Sequence, residues 1–171
     1  PKDRASNAVV SEFDISNNLA LPFFKKHSRF SFLRAKSLSQ NAKNSISELG
    51  IVCQSEIDSV TTLSGGNQQK VMVGRWLSED SSVLLLDEPF QGVDIKARRD
   101  IGIQIRSTSS QRSTLIFVAE LDEALEIADR VIVLHEGNLV GEYQNKRENI
   151  PEIVSSFSGS DYKQDSSNYG T

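Results

Sequence analysis

The chain has 171 residues, 19 basic and 23 acidic, and a formal net charge of −4, a balance that argues against bulk electrostatic binding of nucleic acid. Its length suffices for one domain with a proper core, and no run approaches the roughly 18 apolar residues of a membrane-spanning helix. Cys53 is the only cysteine and His27 and His135 are the only histidines, so an internal disulfide is excluded and a Cys/His zinc site has little to draw on.

No secretory pattern opens the chain, and proline at position 1 points to a natural N-terminus further upstream. Pro1-Lys2-Asp3-Arg4 is a short polar opening. Ala8-Val9-Val10 and Phe13-Ile15 are apolar but short. Leu19, Leu21, Phe23 and Phe24 follow, interrupted by Pro22, so this region reads as a short helix or an irregular segment. Lys25 and Lys26 with His27 read as a solvated face. From Phe32 to Leu49 the pattern sharpens: Ala35, Leu38, Ala42, Ile46 and Leu49 recur at three and four, an amphipathic helix with Gly50 as its C-terminal cap. Residues 51–60 read as a loop.

A helical pattern resumes with Met72, Val73, Trp76 and Leu77. Ser82 to Leu86 is a continuous apolar run, the pattern of a parallel strand buried on both faces. Ile95 to Arg106 is helical, with Ala97, Ile101 and Ile105 on one face. Thr114 to Val118 is a second buried strand, which makes residues 82–118 a strand-helix-strand crossover, right-handed by rule. Leu121, Ala124, Leu125 and Ala128 mark a short helix. Val131 to Leu134 and Leu139 to Tyr143 are two strands joined by a tight turn near His135. Pro151 suits the first turn of a last helix whose apolar face is Ile150, Ile153, Val154 and Phe157. The polar stretch 158–171 is expected to be a disordered tail.

Two stretches carry chemistry. In Leu63-Ser64-Gly65-Gly66-Asn67-Gln68-Gln69-Lys70, adjacent glycines follow a serine at the start of a helix. Such a turn is an anion site, because N–H groups and the helix dipole point the same way. A phosphate-sized ligand would sit against Ser64, Gly65 and Gly66. Then Val83-Leu84-Leu85-Leu86 ends in Asp87-Glu88-Pro89. Two adjacent carboxylates at a strand end suit a magnesium ion and a water to be activated.

In this order and spacing, with Gly92-Val93-Asp94 behind them, these residues resemble the signature, Walker B and D-loop motifs of ATP-binding cassette (ABC) ATPases. The Asn-Gln-Gln form is similar to the tandem-cassette ATPases of bacterial ribose, galactose and xylose importers. The resemblance implies an α/β fold: a partial P-loop NTPase core of ABC cassette type with a helical signature subdomain. It divides the chain into a Q-loop remnant and signature subdomain (1–80), the C-terminal part of the ATPase core (81–157) and the tail (158–171). It implies ATP and Mg2+ as cofactors. Glu88 would be the general base, Asp87 the magnesium residue, and Ser64, Gly65, Gly66, Gln68 and Asp94 would contact nucleotide across a sandwich of two cassettes. Asp94 would also cap the helix beginning near Ile95. The implied partners are a second cassette, transmembrane permease subunits and, indirectly, a periplasmic sugar-binding protein, at the cytoplasmic face of the inner membrane; no nucleic acid is implied. Phe23, Phe24, Phe30 and Phe32 would line the permease groove or form the subdomain's own core.

Three departures qualify the resemblance. A Gly-x-x-x-x-Gly-Lys-[Ser/Thr] phosphate loop is absent from the 171 residues, so the Walker A half is expected before Pro1. Lys2 stands where the family has glutamate or glutamine. Ala119, followed by Glu120, takes the position of the switch histidine, which leaves a degenerate or regulatory cassette as an alternative to a fully active one. A non-transport ABC ATPase is the other alternative, though neither basic arms nor long coiled coils are visible.

Overall fold

A computed structural model of the chain describes residues 9–29, 32–78 and 80–158. The polar opening, Phe30, the side chain of Phe32 and the tail beyond Ser158 lie outside the described residues. The chain forms two compact units that divide between Phe117 and Val118.

The first unit opens with helix α1 (Ile15–Ala20), capped by Asp14, whose carboxylate accepts the Asn17 N–H at 2.7 Å. A 3-10 turn, Leu21–Phe23, carries Pro22 near its start. A two-residue hairpin follows, β1 (Ser28–Arg29) against β2 (Phe32–Leu33), antiparallel. The amphipathic helix is α2 (Ala35–Leu49), and Gly50 closes it in the left-handed conformation, φ 57°. Loop 51–59 and a 3-10 turn, Val60–Thr62, lead into α3 (Gly65–Leu77). Helices α1, α2 and α3 pack together around Ile15, Leu19, Ala42, Leu49, Val60 and Val71, all buried. Gly74 permits the close approach, since a Cβ there would run into the Leu49 side chain. Phe23 meets Trp76 edge-on with centroids 5.8 Å apart, and Phe24 lies 6.3 Å from Phe13. These two phenylalanines therefore contribute to the subdomain's own packing.

His27 corrects the sequence reading. It is only 7% exposed, whereas Lys25 and Lys26 are exposed as expected. The backbone folds back here, with the Arg34 N–H donating to the His27 carbonyl at 2.8 Å, and the imidazole Nδ1 lies 3.0 Å from Ser37 Oγ on α2. A hairpin of two-residue strands has no periodicity to read.

Strand β3 (Val83–Asp87) pairs in parallel with β4 (Ser113–Phe117), Leu85 opposite Leu115 and Asp87 opposite Phe117. Helix α4 (Ile95–Ser107) joins them and buries Ala97, Ile101 and Ile105. The strands are not buried on both faces. Leu84 and Leu86 are buried, but Val83 and Leu85 are 61% and 65% exposed, and Leu115 and Phe117 are 44% and 46% exposed. An unbroken apolar run carries no information about which face is covered, and among the described residues only one face of this pair is.

In the second unit, α5 (Leu121–Ile127) precedes β5 (Arg130–His135) and β6 (Asn138–Gln144), an antiparallel pair with an irregularity at Val133/Leu134. Glu136 and Gly137, φ 48° and 79°, make the tight turn. A 3-10 turn, Arg147–Asn149, opens α6 (Ile150–Ser158). Ile153 packs with Val131 and Val133. Ile150, Val154 and Phe157, which complete the expected apolar face, are 36%, 45% and 47% exposed. Ser156 is buried instead, its hydroxyl 2.5 Å from the Tyr143 hydroxyl. Ser158, expected to open the tail, is the last residue of this helix.

Candidate functional site

Ser64 sits at the N-cap of α3 in extended conformation, φ −61° and ψ 157°. Its hydroxyl accepts the Asn67 side-chain amide at 3.0 Å and the Asn67 backbone N–H at 3.4 Å. Ser64 and Gly65 are exposed and Gly66 is half-buried. Gly66 lies where α3 meets the start of α4: a Cβ there would stand 3.2 Å from Ala97 Cβ and 3.8 Å from Asp94 Oδ2. Only a glycine leaves this contact unforced. Asp94 caps α4, accepting the Ala97 N–H at 2.8 Å, so two helix N-termini converge on Gly66 and Asp94. The Gln68 amide turns back to its own helix entry, donating to the Leu63 carbonyl at 3.1 Å. Asn67 holds the preceding loop, its Oδ1 accepting the Val52 N–H at 3.0 Å.

The base of α3 is anchored by Lys70, which is buried. Its ammonium donates to the Gly50 carbonyl at 3.0 Å and pairs with Asp100 at 2.7 Å, tying α2, α3 and α4 together. Loop 51–59 is fixed from its other end by Glu56. Its carboxylate accepts from Ser39 at 2.7 Å and from Ser55 at 3.2 Å and pairs with Lys43 at 3.4 Å. The Ser39 hydroxyl, then Glu56's own backbone N–H, then Lys43 and Ser55 together hold this carboxyl down at about 2, against an opposing effect of burial.

Strand β3 ends in Asp87, exposed, and Glu88, half-buried. Glu88 has φ 48°, a left-handed conformation that costs a non-glycine residue about 1–2 kcal/mol. Its N–H donates to the Phe117 carbonyl at 2.9 Å, which extends the β3–β4 pairing by one bond. Pro89 and Phe90 are buried, and Phe90 is 2% exposed. The phenylalanine that follows Asp-Glu-Pro thus anchors the turn by apolar burial. Gln69 of α3 donates its side-chain amide to the Pro89 carbonyl at 2.6 Å. The signature helix therefore grips the turn that carries Glu88. Gln69, Lys70 and Asp100 were missed as functional candidates; the first two lie inside the motif, but only the packing of α3 against its neighbours shows what they hold.

Among the described residues no group of three or more His, Cys, Asp or Glu side chains could hold a metal ion. Asp87 offers one exposed carboxylate, which fits an ion that takes its other oxygens from water and phosphate, as magnesium does. In the second unit Ala119 is exposed, and Glu120 is the N-cap of α5, followed by Asp122 and Glu123 in the first turn, where negative charge suits the dipole.

Residues 5–91 match the family model described as ABC transporter. The chain belongs to the ABC transporter family. It is 36% identical, over 143 residues, to a xylose import ATP-binding protein of Thermoanaerobacter pseudethanolicus, covering 83% of this chain and 28% of that protein. It is 38% identical, over 141 residues, to a ribose import ATP-binding protein of Bacillus cereus, covering 82% of this chain and 28% of that protein. The chain thus spans less than a third of the length of these relatives. Among solved structures, a dimeric ATP-binding cassette in a post-hydrolysis state bound to ADP and Pi superposes with a TM-score of 0.69 at 18% identity, covering 81% of this chain and 59% of that one. The fold is that of a partial ABC ATPase core, with its helical and parallel-strand parts both present.

Proposed function

We propose that this chain is part of the ATP-binding subunit of a bacterial ABC importer that hydrolyses ATP to energise uptake of a monosaccharide. The Glu88 turn carries the ATPase half of this reading: a carboxylate at a strand end, held in a left-handed conformation and anchored on both sides. The names of the relatives carry the substrate class, since they are xylose and ribose import ATP-binding proteins. In this reading residues 1–80 are the signature subdomain and 81–157 the C-terminal part of the core. The subunit works at the cytoplasmic face of the membrane with permease subunits, a second cassette and, indirectly, a sugar-binding protein.

Glu88 orients a water on the γ-phosphorus and takes its proton as the new P–O bond forms. The β–γ bridging bond breaks, and ADP leaves with the electron pair. Magnesium held through Asp87 would supply charge neutralisation on the phosphates. Ser64, Gly65 and Gly66 contact the γ-phosphate of the nucleotide bound to the opposite cassette, and Gln68 and Asp94 support that contact. In the intact subunit, with the other site silenced, Glu88→Gln should slow hydrolysis by about 10²–10⁴-fold and leave ATP binding in place. Unchanged turnover would remove Glu88 from this role. A nucleotide-binding, regulatory cassette is the second reading, favoured by Ala119 at the switch position; basal turnover already as slow as that of the Glu88→Gln variant would select it.

A further inference from the structure

The Glu88 turn is closed locally by the Gln91 N–H, which donates to the Glu88 carbonyl at 3.3 Å, and is tied to two distant elements. Upstream, the Glu88 N–H is held by the Phe117 carbonyl at 2.9 Å. Downstream, the Pro89 carbonyl is held by the Gln69 side chain at 2.6 Å. The proline ring fixes the backbone between that carbonyl and Glu88, so little slack separates the two anchors. A left-handed glutamate persists only where its surroundings over-determine it, and here the local turn bond and the two distant bonds act together.

The Gln69 amide has one possible orientation. The Pro89 carbonyl can only accept, so nitrogen must face it. Gln69 is 4% exposed, and its Oε1 is buried with no hydrogen-bond partner among the described residues. A leucine would bury the same volume without that unsatisfied oxygen. What the amide adds over leucine is the bond its nitrogen makes to the Pro89 carbonyl. Gln69 also lies on the helix whose N-cap is Ser64 and whose first turn touches Asp94 through Gly66. One rigid helix thus contacts both motifs.

We propose that Gln69 is a positioning residue for ATP hydrolysis: through the Pro89 carbonyl it holds the Glu88 carboxylate in its working direction. The proposal rests on the reading of Glu88 given above.

The test is single-turnover hydrolysis by the intact ATP-binding subunit, with the second cassette's general base mutated so that only the Glu88 site reacts. Rates are expressed per bound ATP. Gln69→Leu should lower that rate tenfold or more, with ATP affinity kept within twofold. Adding Gln69→Leu to Glu88→Gln should cause no further loss, because both act through one carboxylate. Gln69→Glu supplies a donor only when protonated. Its rate per bound ATP should therefore rise as pH falls, a limb absent from the wild-type and Gln69→Leu profiles. If Gln69→Leu does not fold, the Gln69→Glu profile decides alone. A wild-type rate per bound ATP in Gln69→Leu, or a Gln69→Glu profile parallel to wild type, would overturn the proposal. Glu88→Gln separates the two ideas: if it abolishes hydrolysis while Gln69→Leu does not, only the positioning role fails; if it leaves hydrolysis intact, the reading of Glu88 itself fails.

Discussion

The signature turn and the Walker B turn are neighbours joined by one helix, yet they are built in opposite ways. Ser64 is exposed, adopts an ordinary extended conformation and, among the described residues, makes its cap bonds to Asn67, three residues along. Glu88 is half-buried, takes a left-handed conformation and is flanked by bonds to Phe117 and Gln69, distant in sequence. The first is a surface shaped by local geometry and ready to meet something outside the chain. The second is a backbone turn held by the fold around it. Stability and activity should therefore respond differently to substitution at the two turns.

The largest difference expected is in turnover. In the intact subunit, Ser64→Arg places a long side chain at the N-terminus of α3 and blocks approach of a phosphate. Hydrolysis at the opposite site should fall by about 10²–10³-fold, the usual effect of losing a charge-stabilising donor. The Glu88 site, assayed alone, should keep its rate. Equal loss at both sites would mean that the turn is a structural cap and nothing more.

Lys70→Met asks whether the open turn depends on the anchored base of its helix. The Lys70 side chain is 6% exposed and its partner Asp100 31% exposed. Breaking a fully buried pair costs about 3–5 kcal/mol, but water can reach Asp100, so a loss of about 2–3 kcal/mol is expected from denaturant titration. A loss below about 0.5 kcal/mol would show that apolar packing alone holds α2, α3 and α4 together.

What the sequence disclosed follows the same division. Local features were legible: the α2 periodicity with Gly50 at its end, Asp94 as a cap and the turn before Asn138 each follow from neighbouring residues, and the parallel partnership of β3 and β4 follows from the strand-helix-strand order. The two motifs were legible because their chemistry is written in consecutive residues. Long-range side-chain contacts were not. The Gln69–Pro89 bond, the Lys70–Asp100 pair and the burial of His27 depend on which elements meet, and no period encodes that. Exposure of Val83 and Leu85 escaped for the same reason, since a run of valine and leucine reads alike whether one face or both are covered.

Glycine at each turn provides a finer comparison. Glu88→Gly relieves a left-handed conformation worth about 1–2 kcal/mol and adds about 0.5–1 kcal/mol of unfolded-chain freedom. Relief is the larger effect, so the folded state should gain about 0.5–1 kcal/mol while hydrolysis is lost with the carboxylate. Ser64→Gly has no strain to relieve and should change stability by only a few tenths of a kcal/mol, at about the limit of measurement. A loss of stability in Glu88→Gly would mean that the carboxylate makes contacts worth more than the strain.

The last comparison concerns how the open turn is held from the loop side. Glu56 fastens loop 51–59 to α2 through Ser39 and Lys43, and its carbonyl accepts the Ser16 N–H of α1 at 2.9 Å. The folded state holds its carboxyl at about 2 instead of the ordinary 4.5, chiefly because the ionised form accepts the Ser39 hydroxyl. Between those two values the unfolded chain binds a proton that the folded chain does not, so stability rises with pH across this window. The contribution is complete above about 4.5 and is lost as pH falls toward 2. Glu56→Gln keeps one acceptor oxygen for Ser39 but cannot titrate. Its stability at neutral pH should be lower than that of the parent chain, and the difference should shrink as the solution is acidified through this window. The readout is the denaturation midpoint of both proteins at matched pH values. Parallel curves down to pH about 2 would show that Glu56 is not ionised against Ser39 in the way the geometry requires. Converging curves would show that the carboxylate stabilises the loop before the signature turn.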